Sequence, residues 1–384
     1  MNTNPIMKFL AKGNKWQFDI PIEKQMDFIN DLPMPVNDFQ RSFNQYKAQM
    51  FFVTVVKRIL FNSVCTILTP FLWIILLIKG LYQKERYKTD AIIQHNAYSG
   101  VVPQVVLEKY NISQENLWSK IGSLSFKDNF FLLHLVKYYF RSPYFVFKSI
   151  YKIALYSQLI RRYHPNAIIV FNEYSFTSSL LTAYCEWRGI EHVNIMHGEK
   201  LLYIRDSFFR FTTCYIWEDY YKELFKKLRT PSDQFVSATP PFMKIDLQKC
   251  KNMEAFAEYK YYLANYTELE LNSIIRSMAV LKRGNAKIKY RPHPRYSNIE
   301  MLKKYVSEED IEYPDQVNIM ESVANCKNAV GCYTTVLNQA YHSGINVIID
   351  DIDFPEIFGK LSELEYVLLN KNLNLLSKKI SYVS

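Results

Sequence analysis

Short apolar runs at 91–95, 167–171, 192–196 and 214–217 each end in polar residues. Between them, 129–160, 180–188 and 218–228 carry apolar residues at helical spacing. The pattern restarts with apolar runs at 259–263, 286–290, 329–333 and 346–349. Helical segments at 268–281, 299–306, 319–324 and 334–342 separate or follow those runs. Strands alternating with helices, with polar residues just past each strand, predict parallel α/β sheets that bind ligands at their carboxyl ends. Pro240-Pro241 and the charged, weakly patterned residues 244–257 predict a connection between two such sheets. The expectation is an α/β chain of two Rossmann-like domains, 90–243 and 255–384, facing each other across a cleft.

Residues 1–89 break this pattern and predict an N-terminal extension. The first fifty are polar and mixed, punctuated by Pro21, Pro33 and Pro35, and predict an extended or partly helical lead-in. The first thirty contain no apolar core of a cleaved secretory signal, and none is expected. Residues 59–78 carry no charge and are flanked by Lys57, Arg58 and Lys79. A run of that length can span a bilayer, lie on its surface with Trp73 as anchor, or form a buried helix. Asn62, Ser63, Thr66, Thr69 and a central Pro70 weigh against spanning.

Composition narrows the function. The 384 residues are 49% apolar and 16% aromatic, enough for packed cores and unlike a disordered chain. Net charge is +10, which permits anionic partners of several kinds. No RNA- or DNA-binding signature accompanies it, and nucleic acid is not expected. Six cysteines without a C-x-x-C pair predict reduced thiols of a cytosolic setting. Neither G-x-G-x-x-G nor G-x-x-x-x-G-K-[ST] occurs, which disfavours dinucleotide oxidoreductases and P-loop NTPases.

The chemistry gathers in the second half. Arg291-Pro292-His293-Pro294-Arg295 follows a strand, its histidine fixed between two prolines and flanked by arginines that suit phosphate or carboxylate. The same tetrad is ordinary turn chemistry elsewhere. Glu321 sits on a short helix and can accept both hydroxyls of a ribose. Thr334-Thr335 stand where a strand turns into a helix, and hydroxyls with free N–H groups at a helix start suit a phosphate. A histidine aimed at that phosphate can act as acid for a departing nucleotide.

Arg291-Pro292-His293-Pro294-Arg295, Glu321, Thr334-Thr335 and Ser343-Gly344-Ile345 leading to Asp350-Asp351 resemble the C-terminal half of bacterial sialyltransferases. The resemblance is to the lipooligosaccharide and capsular polysialyltransferase groups, GT-B enzymes using CMP-sialic acid, and covers 285–351. It implies that His293 contacts the CMP phosphate and assists its departure. Glu321 would hold the ribose, and Thr334 and Thr335 would replace the usual serines. Arg291, Pro294 and Arg295 complete the implied nucleotide site.

The first half departs from that family, whose acidic base motif is replaced here by Met196-His197-Gly198-Glu199. A histidine-glycine pair there is similar to the CDP-glycerol phosphotransferases of teichoic acid synthesis. His197, with an ordinary pKa of about 6.5, suits a general base. Glu199 orients it or serves as base itself, with Glu173 in reserve. His95 and Glu173 are the candidate acceptor contacts. His164-Pro165 precedes its strand and reads as a turn, while His134, His192 and His342 read as structural.

These readings predict an inverting glycosyltransferase at the cytoplasmic membrane. It would move sialic acid or a related keto-sugar from a cytidine nucleotide to a bacterial capsule, lipooligosaccharide or exopolysaccharide. No cofactor and no metal are expected, because no D-x-D falls at a strand end in the first half. The expected partners are a nucleotide sugar, a glycan or glycolipid acceptor and the inner membrane surface. The alternatives are a CDP-polyol phosphotransferase and a non-catalytic scaffold for polysaccharide assembly.

Overall fold

The computed structural model describes residues 17–84, 87–94, 99–115, 121–250, 256–282, 286–371 and 373–382. The chain divides into two compact units. One comprises Met1–His197 with Leu202–Ala238, the other Gly198–Leu201 with Thr239–Ser384.

The first unit is built on six parallel strands: β1 (Ala91–Gln94), β2 (Ile112–Glu115), β3 (Ala167–Val170), β4 (Glu191–Ile195), β5 (Thr213–Ile216) and β6 (Phe235–Ser237). Their order is β2-β1-β3-β4-β5-β6, so the direction of winding reverses between β1 and β3. The Ala-Ile-Ile-Val run of β3 is buried along its whole length, as a strand covered by helices on both faces must be. The helices Pro143–Tyr163 and Ser178–Trp187 belong to this unit. Gly189, at φ +71°, closes the second: its N–H bonds Glu186 O and the Ile190 N–H bonds Cys185 O, a left-handed cap only glycine takes without strain.

Two helices of the segment expected as an N-terminal extension, Asp38–Met50 and Val55–Leu81, group with this unit. The Asp38–Met50 helix starts on Asn37, whose side chain accepts the Gln40 N–H. It packs on the Ser178–Trp187 helix, where Ser42 Oγ accepts the Leu180 N–H at 2.7 Å. Gln45 and Gln49 donate to the carbonyls of Glu173 and Tyr174. Downstream, Val55–Leu81 is one helix of 27 residues that runs through Pro70. The polar side chains that weighed against spanning are spent within it: Asn62, Thr66 and Thr69 donate to the carbonyls four residues earlier.

The second unit holds five parallel strands: β7 (Ala257–Tyr262), β8 (Ile288–Arg291), β9 (Cys326–Gly331), β10 (Asn346–Ile349) and β11 (Asn374–Leu375). Their order is β11-β10-β9-β7-β8, which puts the reversal between β7 and β9. Leu271, Ile274, Met278 and Leu281, one stripe of the Glu268–Lys282 helix, pack with Tyr261, Ile288, Val330 and Ile348 into its core. Both units are therefore Rossmann-like, as the pattern predicted.

Candidate nucleotide site of the second unit

Parallel register sets three chain segments at one edge of the second sheet. Tyr262 at the end of β7 pairs with Arg291 at the end of β8, and Tyr261 pairs with Val330 of β9. The segment carrying His293 leaves β8, and Thr334 follows β9. They are two strand spacings apart, about 10 Å, with the end of β7 between them. In open α/β sheets, the crevice at a reversal of winding is where ligands sit. Here a cavity of about 170 Å³ opens there, lined by Tyr261, Tyr262, Tyr266, Cys332, Tyr333 and Phe354 among others. Whole-ligand pockets usually run from about 300 to 1,000 Å³, so this one suits a single planar ring rather than an entire nucleotide sugar. Gly331 permits the close approach of β9 to β7, since a Cβ there would stand 3.2 Å from Tyr262 O.

The His293 loop is held by its own hydrogen bonds. Its N–H donates to Ser297 Oγ at 2.8 Å, and that hydroxyl donates to Ala264 O just past β7. The Arg295 N–H donates to His293 Nδ1 at 3.1 Å, and the ring stacks on Tyr296 with centroids 4.5 Å apart. Because Nδ1 accepts, the proton of the neutral ring lies on Nε2. Partial burial and then the Arg295 charge hold the imidazole below its ordinary range. His293 is therefore neutral at pH 7 and presents Nε2–H as a hydrogen-bond donor. Pro294 and Arg295 are exposed on the turn.

Arg291 requires a correction. Its guanidinium turns inward: Nη1 donates to Glu312 Oε1 at 2.9 Å and Nη2 to Val317 O at 2.8 Å. Lys260 of β7, fully buried, reaches Glu312 Oε2 at 2.5 Å and also donates to Ser322 O, and Ser322 Oγ bonds the same carboxylate. Burial opposes ionisation of Glu312, but Lys260 with the hydrogen bonds from Lys260, Ser322 and Arg291 outweighs it and keeps the carboxyl below its usual range. Arg291 thus anchors the strand end, and the sequence pattern could not separate it from Arg295 because both flank the same tetrad.

Thr334 is the N-cap of the Thr335–His342 helix, its Oγ1 facing the Val336 N–H at 3.4 Å, and Thr335 is exposed on the first turn. Glu321 lies in the first turn of Ile319–Ala324, half-buried, its N–H capped by Asn318. Glu199 belongs to this unit. Asn338 of the Thr335–His342 helix donates to Glu199 Oε2 at 2.6 Å. Asn338 was not singled out by sequence, since a buried asparagine on a helix carries no signature of its partner. The acid-rich loop after β10 is knotted on itself: Asp350 accepts the Tyr261 hydroxyl and the N–H groups of Ile352 and Asp353.

In the first unit, His197 is exposed just past β4 and meets Phe171 edge-on at 5.6 Å. Glu173 is corrected: it is fully buried, at the stretch whose carbonyls the glutamines of the Asp38–Met50 helix grip, and is not presented to an acceptor. His95 lies outside the described residues. His192 is structural, buried between Tyr156 and Thr182 at 2.9 and 2.8 Å, and burial depresses its pKa to about 3. His164 caps the Pro143–Tyr163 helix in a left-handed turn at φ +44°. No group of His, Cys, Asp and Glu that could hold a metal ion occurs among the described residues.

Two parallel α/β units, the second with an opening the size of a single ring at its reversal of winding, define the class of the chain. No family model matches it, and no curated protein does. Among solved structures it is similar to a UDP-GlcNAc 2-epimerase from Methanocaldococcus jannaschii at 12% identity, TM-score 0.39, over 75% of this chain and 94% of that one. It is similar to the calicheamicin glycosyltransferase CalG4 at 10% identity and TM-score 0.41, over 72% and 83%. It is also similar to the wall teichoic acid polymerase TagF at 9% identity and TM-score 0.39, over 88% and 84%. Likenesses this distant decide nothing about activity.

Proposed function

We propose that the protein is a glycosyltransferase of the GT-B type, working at the inner membrane surface. It transfers sialic acid or a related keto-sugar from a cytidine nucleotide to a bacterial surface glycan. The observation that carries this reading is the single-ring cavity between β7 and β9, flanked by neutral His293 on one side and the Thr334-capped helix on the other. The base occupies the tyrosine-lined cavity, and the ribose hydroxyls are held by Glu321. The phosphate takes hydrogen bonds from His293 Nε2, the Thr334 and Thr335 hydroxyls and the first N–H groups of the helix, with Arg295 adding charge.

In the transfer, the acceptor hydroxyl attacks the anomeric carbon and gives its proton to His197, with Glu199 the alternative base. The bond to the phosphate oxygen breaks, and CMP leaves with the electron pair. Donors already aimed at that phosphate stabilise the developing charge without reorganising.

Release of CMP from CMP-sialic acid, with CDP-glycerol as the competing donor, tests the proposal. Turnover of the first and a loss of about 10²-fold or more in His293→Ala is the expected result. Turnover of CDP-glycerol alone would move the chain to polyol-phosphate transfer, and turnover of neither would sink both.

A further inference from the structure

The Val55–Leu81 helix has mean hydropathy 2.1 over its most apolar window, of which only 11% is buried. Leu60, Val64, Ile67, Phe71, Ile74 and Ile78 follow one another at three- and four-residue steps, all exposed, and form one stripe. The other side is fixed to the first unit along its length. Asn62 Oδ1 accepts the Tyr144 N–H, and Phe61 stacks on Tyr144. Trp73 Nε1 donates to Asn129 Oδ1 at 2.8 Å, Leu76 O accepts the Leu124 N–H, and Gly80 O accepts from Arg161. A Cβ on Gly80 would stand only 1.8 Å from Leu124 O, so contact there is backbone on backbone.

A rod bonded to an α/β body at both ends and the middle cannot stand upright in a bilayer. Doing so would draw that body's polar backbone and the lysines and arginines of the Pro143–Tyr163 helix into hydrocarbon. Lying flat removes that conflict. Next to Asn129, Phe126 and Phe130 are 83% and 73% exposed and widen the apolar surface.

At the C-terminal end of the stripe, Lys79, Lys84 and Arg162 border a recess of about 590 Å³ together with Gln83, Ser123 and Gln158, and among the described residues no carboxylate lines it. Arg161 is occupied with Gly80 O and Ser123 Oγ, whereas Arg162 Nε is buried with no hydrogen-bond partner. We propose that the helix lies in the plane of an anionic phospholipid surface, with its stripe at the acyl boundary and a lipid phosphate in the Lys79–Lys84–Arg162 recess. The recess continues from the apolar stripe, so a phosphate seated there is one joined to acyl chains. This deepens the membrane part of the transferase reading.

Flotation of the full-length protein with phosphatidylcholine vesicles, with and without phosphatidylglycerol, tests it. The protein floats with the anionic vesicles, is released by alkaline carbonate, and is not displaced by inorganic phosphate at constant ionic strength. Lys84→Ala with Arg162→Ala weakens the anionic-vesicle affinity about thirty-fold, the effect of losing two surface cations. Phe71→Glu with Ile74→Glu abolishes flotation. Circular dichroism melts identify a variant that fails to fold, in which case the charge pair decides.

Four results each overturn the proposal: retention after carbonate, which means a spanning helix; equal flotation with neutral vesicles; an unaffected charge-pair variant; and displacement by phosphate, which means a site for the free anion. CMP release with a soluble acceptor, followed on the same samples, keeps failure of the donor reading separate from failure of lipid docking.

Discussion

His293 acts through the nitrogen its loop leaves open. With Nδ1 accepting the Arg295 N–H and the ring neutral at pH 7, it meets a nucleotide phosphate as a donor, not as a preformed cation. A bound phosphate dianion favours the imidazolium and raises its pKa above the lowered value of the free protein. Protons are therefore taken up on binding, and CMP affinity rises as pH falls toward the ordinary imidazole range, where the phosphate is still largely a dianion. Calorimetric titration in buffers of different ionisation enthalpy measures that uptake, and His293→Gln removes it. Glu312 is the second residue with a sharp expectation. Its carboxyl titrates lower folded than unfolded, so its contribution is complete above the ordinary carboxylate range and lost as pH falls through the folded value. Glu312→Gln leaves Lys260 buried without its counter-ion and costs about 3–5 kcal/mol by urea unfolding at neutral pH. The variant also lacks that part of the acid dependence. Neither partner was legible in the sequence: Lys260 stands in a strand pattern as any exposed lysine would, and Glu312 follows a run of acids.

At the scale of elements, the inner strands announced themselves, and of the edge strands only β8 did. The apolar runs at 91–95, 167–171, 192–196, 214–217 and 346–349 mark β1, β3, β4, β5 and β10 to within a residue or so. β2, β6 and β11 were missed. Each is short and has no buried position, so no buried alternation marks it. The His293 loop and the Thr335–His342 helix were read in place because each begins where a strand stops, a transition visible in sequence. The Asp38–Met50 helix was read only as part of an extended or partly helical lead-in because Ser42, Asn44 and Gln45 are buried in it beside Tyr46 and Ala48, with no continuous apolar stripe. Gly80 gives the test at this scale. Gly80→Ala pushes the Val55–Leu81 helix away from Leu124, at about 1–3 kcal/mol of stability by thermal or urea unfolding.

At the scale of the molecule, the expected boundary near residue 243 lies at Ala238–Thr239, and Gly198–Leu201 belongs with the second unit although its neighbours in sequence belong with the first. Chain order alone could not show this, because a four-residue excursion has no compositional mark. Glu199, expected on the first half as a base or its orienter, is tied to Asn338 in the second.

The buried trio of Lys260, Glu312 and Arg291 also has a history in the making of the chain. Lys260 lies in the middle of β7, and its carboxylate partner arrives 52 residues later. A nascent chain that has emerged only through β8 has β7, an inner strand of its second sheet, complete in residues, yet carries an ammonium there with nothing to neutralise it. The second sheet cannot close around β7 until Glu312 has left the ribosome. Stalled chains truncated on either side of residue 312, probed by protease, will differ in protection of β7.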